Sequence, residues 1–127
     1  MSFRFEPLSS NHDRESFSCG DPALDDYLKT RAKQDARRYI AASFVMVDKA
    51  DPKTIAGYYT LSAYAVDVSE FPDEVTKKMP KYPKLPAMLI GRLARDQKFR
   101  KTGDILLFDA LHRASTHVSS IAAMAIV

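Results

Sequence analysis

The sequence predicts an α/β (α+β) fold on one mixed sheet, with elements in the order β-α-α-β-β-β-α-β. Three observations lead there. Residues 86–127 read as apolar strand, periodic helix, apolar strand, the pattern of a parallel pair joined by a right-handed crossover. Residues 43–68 read as two strands about a polar turn, which makes an antiparallel meander. Asp21-Pro22 has the chemistry of a helix start, a capping carboxylate followed by a residue whose missing N–H costs nothing at the first helical position. The 127 residues form a single domain, 1–127, long enough to bury a core without cross-links.

The elements follow in order. Residues 2–8 (SFRFEPL) alternate apolar and polar side chains and predict a first strand. The helix after Asp21 places Leu24, Tyr27, Leu28 and Ala32 on one face, with Asp25 and Lys29 spaced for an ion pair. Lys29, Arg31, Lys33, Arg37 and Arg38 follow as a basic cluster, either a solvated helix face or a surface that meets nucleic acid. Residues 43–48 predict a strand, 50–53 a turn and 54–68 a long return strand. Alternation puts Ile55, Gly57, Tyr59, Leu61 and Ala63 on one face of that strand and Tyr58, Thr60 and Ser62 on the other. Residues 69–86, with four prolines, read mostly as loop, with a short helix anchored by Val75 and Met79. Residues 86–94 are apolar on both faces and predict a central strand. Residues 104–118 predict the clearest helix, its buried stripe formed by Leu107, Ala110, Leu111, Ala114 and Val118. Residues 121–127 predict a last apolar strand.

Hydrophobic residues make up 46% and charged residues 28%, which excludes a disordered chain. The one cysteine, Cys19, has no internal partner for a disulfide, and residues 1–7 lack the apolar core of a secretory leader. No apolar run is long enough to cross a bilayer as a helix, so the expected setting is a reducing cytoplasm, with no membrane partner. The net charge of +3 permits an anionic partner without demanding one.

Chemistry concentrates in residues 91–114, GRLARDQKFRKTGDILLFDALHRA. A central strand ends at Arg95, a basic loop follows and a helix begins. This arrangement gathers backbone N–H groups and the positive end of a helix dipole at one spot, a place for phosphate. Arg100, Lys101 and the Thr102 hydroxyl add charge and donors. Neither GxxxxGK[ST] nor GxGxxG is present. The residues alone leave two readings open, a diphosphate site or an exposed turn whose basic side chains simply meet solvent.

Residues 92–100 (RLARDQKFR) resemble the fourth strand and following loop of the GNAT N-acetyltransferases, which carry (Q/R)xxGx(G/A) there. Arg100-Lys101-Thr102-Gly103 matches the RxxG part, and LLFDALHRA is similar to the helix behind it. Residues 17–28 and 55–61 resemble the first helices and third strand of the toxin-type members. The likeness spans essentially the whole chain in the right order. It implies a GNAT-like mixed sheet, acetyl-CoA as cofactor, its pyrophosphate held near Arg100, Lys101, Thr102, Gly103 and Asp104, and its pantetheine arm along Leu93, Ala94 and Arg95. An amine would attack the thioester while a strand N–H stabilises the oxyanion. Among toxin-type members the resemblance further implies a charged tRNA as acceptor and an antitoxin protein as partner.

Two departures from the family qualify this. Gly103 is followed at once by Asp104-Ile105 where the family continues with Leu-Gly, so a β-branched residue stands where backbone must approach phosphate closely, and binding should be weak. The family's last helix and strands, with the tyrosine that resembles a general acid, lie beyond Val127, so the fold is expected to be partial and the catalytic residue is left unknown. The expected function is therefore a toxin-like N-acetyltransferase of impaired activity, or alternatively an inactive GNAT-fold remnant serving interaction or dimerisation.

The remaining candidates are weaker. His12, His112 and His117 are too scattered to share a metal, and none is expected. Cys19 has no evident base beside it, and Asp104 and Asp109 read as helix-start and solvent-face residues. The uncharged run 121–127 would present an open strand edge, which predicts a homodimer.

Overall fold

The computed structural model describes residues 2–67, 69, 72–76, 84–121 and 125–126. Five strands form one sheet in chain order: β1 (Phe3–Pro7), β2 (Ala42–Asp48), β3 (Asp51–Asp67), β4 (Lys84–Arg95) and β5 (Ala125–Ile126). The first four pair antiparallel, and β5 joins β4 in parallel, Ala87 beside Ala125 and Met88 beside Ile126. The helices are α1 (Pro22–Asp26), continued through a π-helical turn at Tyr27–Arg31 into α2 (Ala32–Arg37), then α3 (Asp73–Thr76) and α4 (Gly103–Ile121). The expected antiparallel meander and the parallel strand-helix-strand unit are both present.

The helices cover opposite faces of the sheet. On one face Phe17, Tyr27, Leu28 and Ala32 pack with Val45, Val47, Ile55, Tyr58 and Ala94. On the other Leu106, Ala110 and Ala114 of α4 pack with Met46, Ala56, Tyr59, Leu61 and Met88. Burial on both sides explains why the central strands carry few polar residues. Asp21 caps α1 as its sequence suggests, its carboxylate accepting from Ala23 N at 3.0 Å. Asp25, expected to pair with Lys29, instead accepts from Cys19 N at 2.9 Å and ties the incoming chain to the helix.

Several expectations shift. The β2–β3 turn is tighter than 50–53, because Asp48 already pairs with Asp51. Ile55 leaves the face it was expected to share with Tyr59. Between the pairs Val47–Ile55 and Met46–Gly57, Ala56 is an extra residue, and this bulge turns Ile55 and Tyr58 to the α1 side and Tyr59 to the α4 side. A second bulge leaves Gly91 between Arg92, opposite Thr60, and Ile90, opposite Leu61. The strand expected at 86–94 begins at Lys84, because β3 runs long enough to pair with it. The short helix is Asp73–Thr76, and Met79 lies outside the described residues.

The α4 stripe is rotated from the expected one. Leu106, Ala110 and Ala114 are fully buried, whereas Leu107 and Leu111 are 43% and 44% exposed, and nothing is described of the Val118 side chain. Gly57 sets this rotation, for a Cβ there would lie 3.0 Å from Ala94 O and 3.1 Å from Leu106 Cδ2. The missing side chain on β3 makes the groove into which Leu106 fits. Helix α4 also runs to Ile121, where a strand was expected, and residues 122–124 and 127 lie outside the described residues.

Candidate functional site

The loop between β4 and α4 is organised by Asp96, which is almost fully buried. Its two carboxylate oxygens accept from Ser18 N and Lys98 N, each at 2.9 Å. Its own N–H donates to Ala56 O at 2.8 Å, and Gln97 N donates to Ser18 O at 2.9 Å. Phe99 then folds inward against Phe3, ring centroids 6.2 Å apart. The Phe99 carbonyl accepts from the Thr102 hydroxyl at 2.7 Å and from Arg95 Nη1 at 3.3 Å. Lys101 sits at φ 64, in the left-handed region that a residue with a side chain adopts at a cost of about 1–3 kcal/mol.

Helix α4 starts directly behind this turn. Its first helical bond runs from Leu106 N to Thr102 O at 3.1 Å. The N–H groups of Gly103, Asp104 and Ile105 precede it and have no acceptor among the described residues, as helix geometry requires. A Cβ added at Gly103 would meet nothing within 4 Å. No protein atom therefore demands glycine there, and the open space in front of the helix start is available to a ligand. Cys19, Arg95, Gln97, Arg100 and Lys101 line the cleft beside it.

The structure thus gathers the sequence-derived site residues at one end of β4, in different roles. Arg95, Arg100 and Lys101 bring positive charge to the cleft, the last two exposed. Thr102 is buried and its hydroxyl is committed to the Phe99 carbonyl, so it braces the loop. Asp104 is exposed on the first turn of α4, beside Ile105. Leu93, Ala94 and Arg95 lie opposite Tyr59, Tyr58 and Gly57 of β3. On the other edge of β4 the described β5 pairing reaches only Ala87 and Met88, leaving Leu89 to Arg95 without a β5 partner among the described residues.

Other candidates fall into place. Tyr58 is buried and donates to Leu24 O at 2.6 Å. Tyr59 donates to the Asp109 carboxylate and accepts from Arg113 Nε at 2.8 Å. Burial is the main cause raising both phenols well above the ordinary tyrosine value. Tyr64 is exposed. Asp109, read from sequence as a solvent-face residue, faces the sheet instead. No local signal gives this pair away, since the partners are fifty residues apart in sequence. His12 is buried, accepting from Ser9 N at 3.0 Å through Nδ1 and bonding Glu6 at 2.7 Å through Nε2. Burial raises the Cys19 thiol, which disfavours a thiolate nucleophile. Among the described residues no three His, Cys, Asp or Glu side chains gather as a metal site, and no helix is long and apolar enough to cross a membrane.

No family model matches the sequence. Curated proteins do, two of them as follows. The chain is 31% identical over 111 residues to a probable toxin TacT of Sinorhizobium fredii, covering 85% of this chain and 61% of that protein. It is 36% identical over 122 residues to a tRNA-acetylating toxin of Mycobacterium tuberculosis, covering 94% of this chain and 70% of that protein. Solved structures agree on the fold. AtaT complexed with acetyl-methionyl-tRNAfMet superposes with a TM-score of 0.87 at 24% identity, over 98% of this chain and 76% of that one. A mutant of KacT gives 0.88 at 22% identity, over 99% and 76%. AtaTR bound with AcCoA gives 0.81 at 23% identity, over 98% and 74%. The β4 loop, the α4 start behind it and the extent of the match to the mycobacterial protein lead to one conclusion: the chain belongs to the toxin-type GNAT acetyltransferases.

Proposed function

We propose that the chain carries an acetyl-CoA-dependent N-acetyltransferase site whose acceptor is the amine of a charged tRNA, and that it acts as a toxin held by an antitoxin protein in the cytoplasm. The observation that carries this reading is the start of α4, three N–H groups without acceptors among the described residues, next to the open space at Gly103 and the cleft lined by Arg100 and Lys101, in a chain of this family. Acetyl-CoA supplies an activated acyl thioester. Gly103, Asp104 and Ile105 N–H groups, with Arg100 and Lys101, would hold its pyrophosphate, and Leu93 to Arg95 would line its pantetheine arm. Ile105 stands where closer backbone approach is wanted, so affinity is weak. A backbone N–H of the same β4 segment would polarise the reacting carbonyl. Tyr58 and Tyr59 keep their protons in the core, and the general acid is not assigned to either.

A second reading, a catalytically silent GNAT fold used for interaction or dimerisation, is favoured by the exposed apolar side of α4, where Ile105, Leu107, Phe108 and Leu111 face outward. Titration calorimetry with acetyl-CoA separates the two. Measurable binding together with transfer of labelled acetyl to charged tRNA supports the enzyme, and a flat titration supports the silent fold.

A homodimer is also proposed, with the segment around β5 at its contact. Sedimentation across a concentration series is expected to give a dimer that Ile126→Lys dissociates. A monomer at high micromolar concentration, or a dimer untouched by the substitution, would refute that contact.

A further inference from the structure

Arg92 stands next to the candidate cofactor strand yet plays no part in the phosphate cleft. It lies opposite Thr60 in the sheet, just after the Gly91 bulge. Its guanidinium carbon is 3.6 Å from the centre of the Tyr27 ring, on the α1 side of the sheet. Tyr27 is buried and fixed at its far end by a 2.8 Å hydrogen bond to Asp35 Oδ2. The arginine is therefore held by stacking on a ring that cannot swing away. Its five N–H donors form no hydrogen bond or ion pair among the described residues, although the side chain is only half-buried. A pre-organised guanidinium with an unused N–H edge is suited to two-point recognition of an oxyanion.

The surroundings favour a phosphodiester. The Asp35 carboxylate in this cluster is already engaged, its Oδ2 accepting from the Tyr27 hydroxyl. Arg31, in the π-helical turn that carries Tyr27, is exposed, as are Lys33, Arg37 and Arg38 of the same helical stretch. A basic helix thus leads toward a fixed arginine one residue before Leu93.

We infer that Arg92 binds a backbone phosphate near the 3′ end of the acceptor nucleic acid and so positions the acceptor amine over Leu93 to Arg95. This rests on the acceptor proposed above. Arg92 would be a positioning residue, reading phosphate rather than sequence.

Deacylated tRNA is the probe, with anisotropy followed over a salt series. Arg92→Gln is expected to weaken binding about tenfold at low salt and to reduce the slope of log K against log salt by about one. Arg92→Lys, which keeps charge but loses the fork, should recover the slope and only part of the affinity. Acetyl-CoA affinity measured on the same proteins should not change. Unchanged tRNA affinity and slope in Arg92→Gln would overturn the inference. So would a matching loss of acetyl-CoA affinity, which would mean that the substitution disturbs the strand. Failure of the acetyltransferase reading shows separately, as absence of acetyl-CoA binding by the unsubstituted protein.

Discussion

The Tyr59 hydroxyl on β3 donates to the Asp109 carboxylate on α4, and Arg113, one helical turn further on, donates to that same hydroxyl. Arg113 also lies 4.1 Å over the Phe44 ring, which itself stacks on Tyr59 at 5.5 Å. This polar clasp joins the helix behind the candidate cofactor loop to the third strand. Tyr59→Phe removes it without changing volume and leaves a half-buried carboxylate short of a donor. The expected loss is about 1–3 kcal/mol of unfolding free energy in urea titration. A loss under a few tenths would mean that water replaces the phenol without penalty.

The contact that rotates α4 is tested at Gly57. Its added Cβ would sit 3.0 Å from Ala94 O, a backbone atom with little room to yield. Gly57→Ala is expected to destabilise by roughly 1–3 kcal/mol through overpacking. At Gly103, where an added Cβ meets nothing, Gly103→Ala should leave stability nearly unchanged. Equal melting shifts for the two variants would contradict this contrast.

Insertion of Leu-Gly after Gly103 restores the spacing of the family loop and moves Ile105 away from the approach to the helix start. Calorimetry should then record acetyl-CoA binding at least about tenfold tighter, the effect of about one added charge-assisted hydrogen bond. Tight binding by the unaltered protein would show that the short loop is not defective.

Below neutral pH the Glu6–His12 contact becomes visible. The hydrogen bond from His12 is the main influence holding the Glu6 carboxyl below its ordinary value of 4.5, with Arg4 helping. A depressed acid stabilises the fold above its unfolded value, and that contribution is lost as pH falls through the folded one. Stability of the native protein should therefore drop below about pH 4.5 more than that of Glu6→Gln, and the two curves should converge. Parallel curves from pH 6 to 3 would remove Glu6 from the account.

Element order was legible because strands and helices leave different periods in the residues that pack, as in 43–48 and 104–118. The Asp21 cap was legible because capping is local. The turn between β4 and α4 was legible for the same reason, since a strand, a basic loop and a helix start are adjacent in sequence. What escaped depends on contacts between distant segments. The Ala56 bulge is decided by how β3 meets β2, and it alone moves Ile55 to the other face. The rotation of α4 is decided by the gap at Gly57, so Leu106 is inside and Leu107 outside although both are leucine. Thr102 looked like a ligand donor because only the fold shows the Phe99 carbonyl in front of it.

Asp96 accepts from Ser18 ahead of α1 and from Lys98 within the basic turn, so one carboxylate spans two segments nearly eighty residues apart. A rotation that turns the Asp96 carboxylate outward releases both amides together. Their hydrogen exchange should follow a single opening event, slower than that of the exposed turn around Lys101. Occupancy of the helix start would then register at the entrance to the first helix, as amide protection at Ser18 and Gln97, far along the chain from the groups touched.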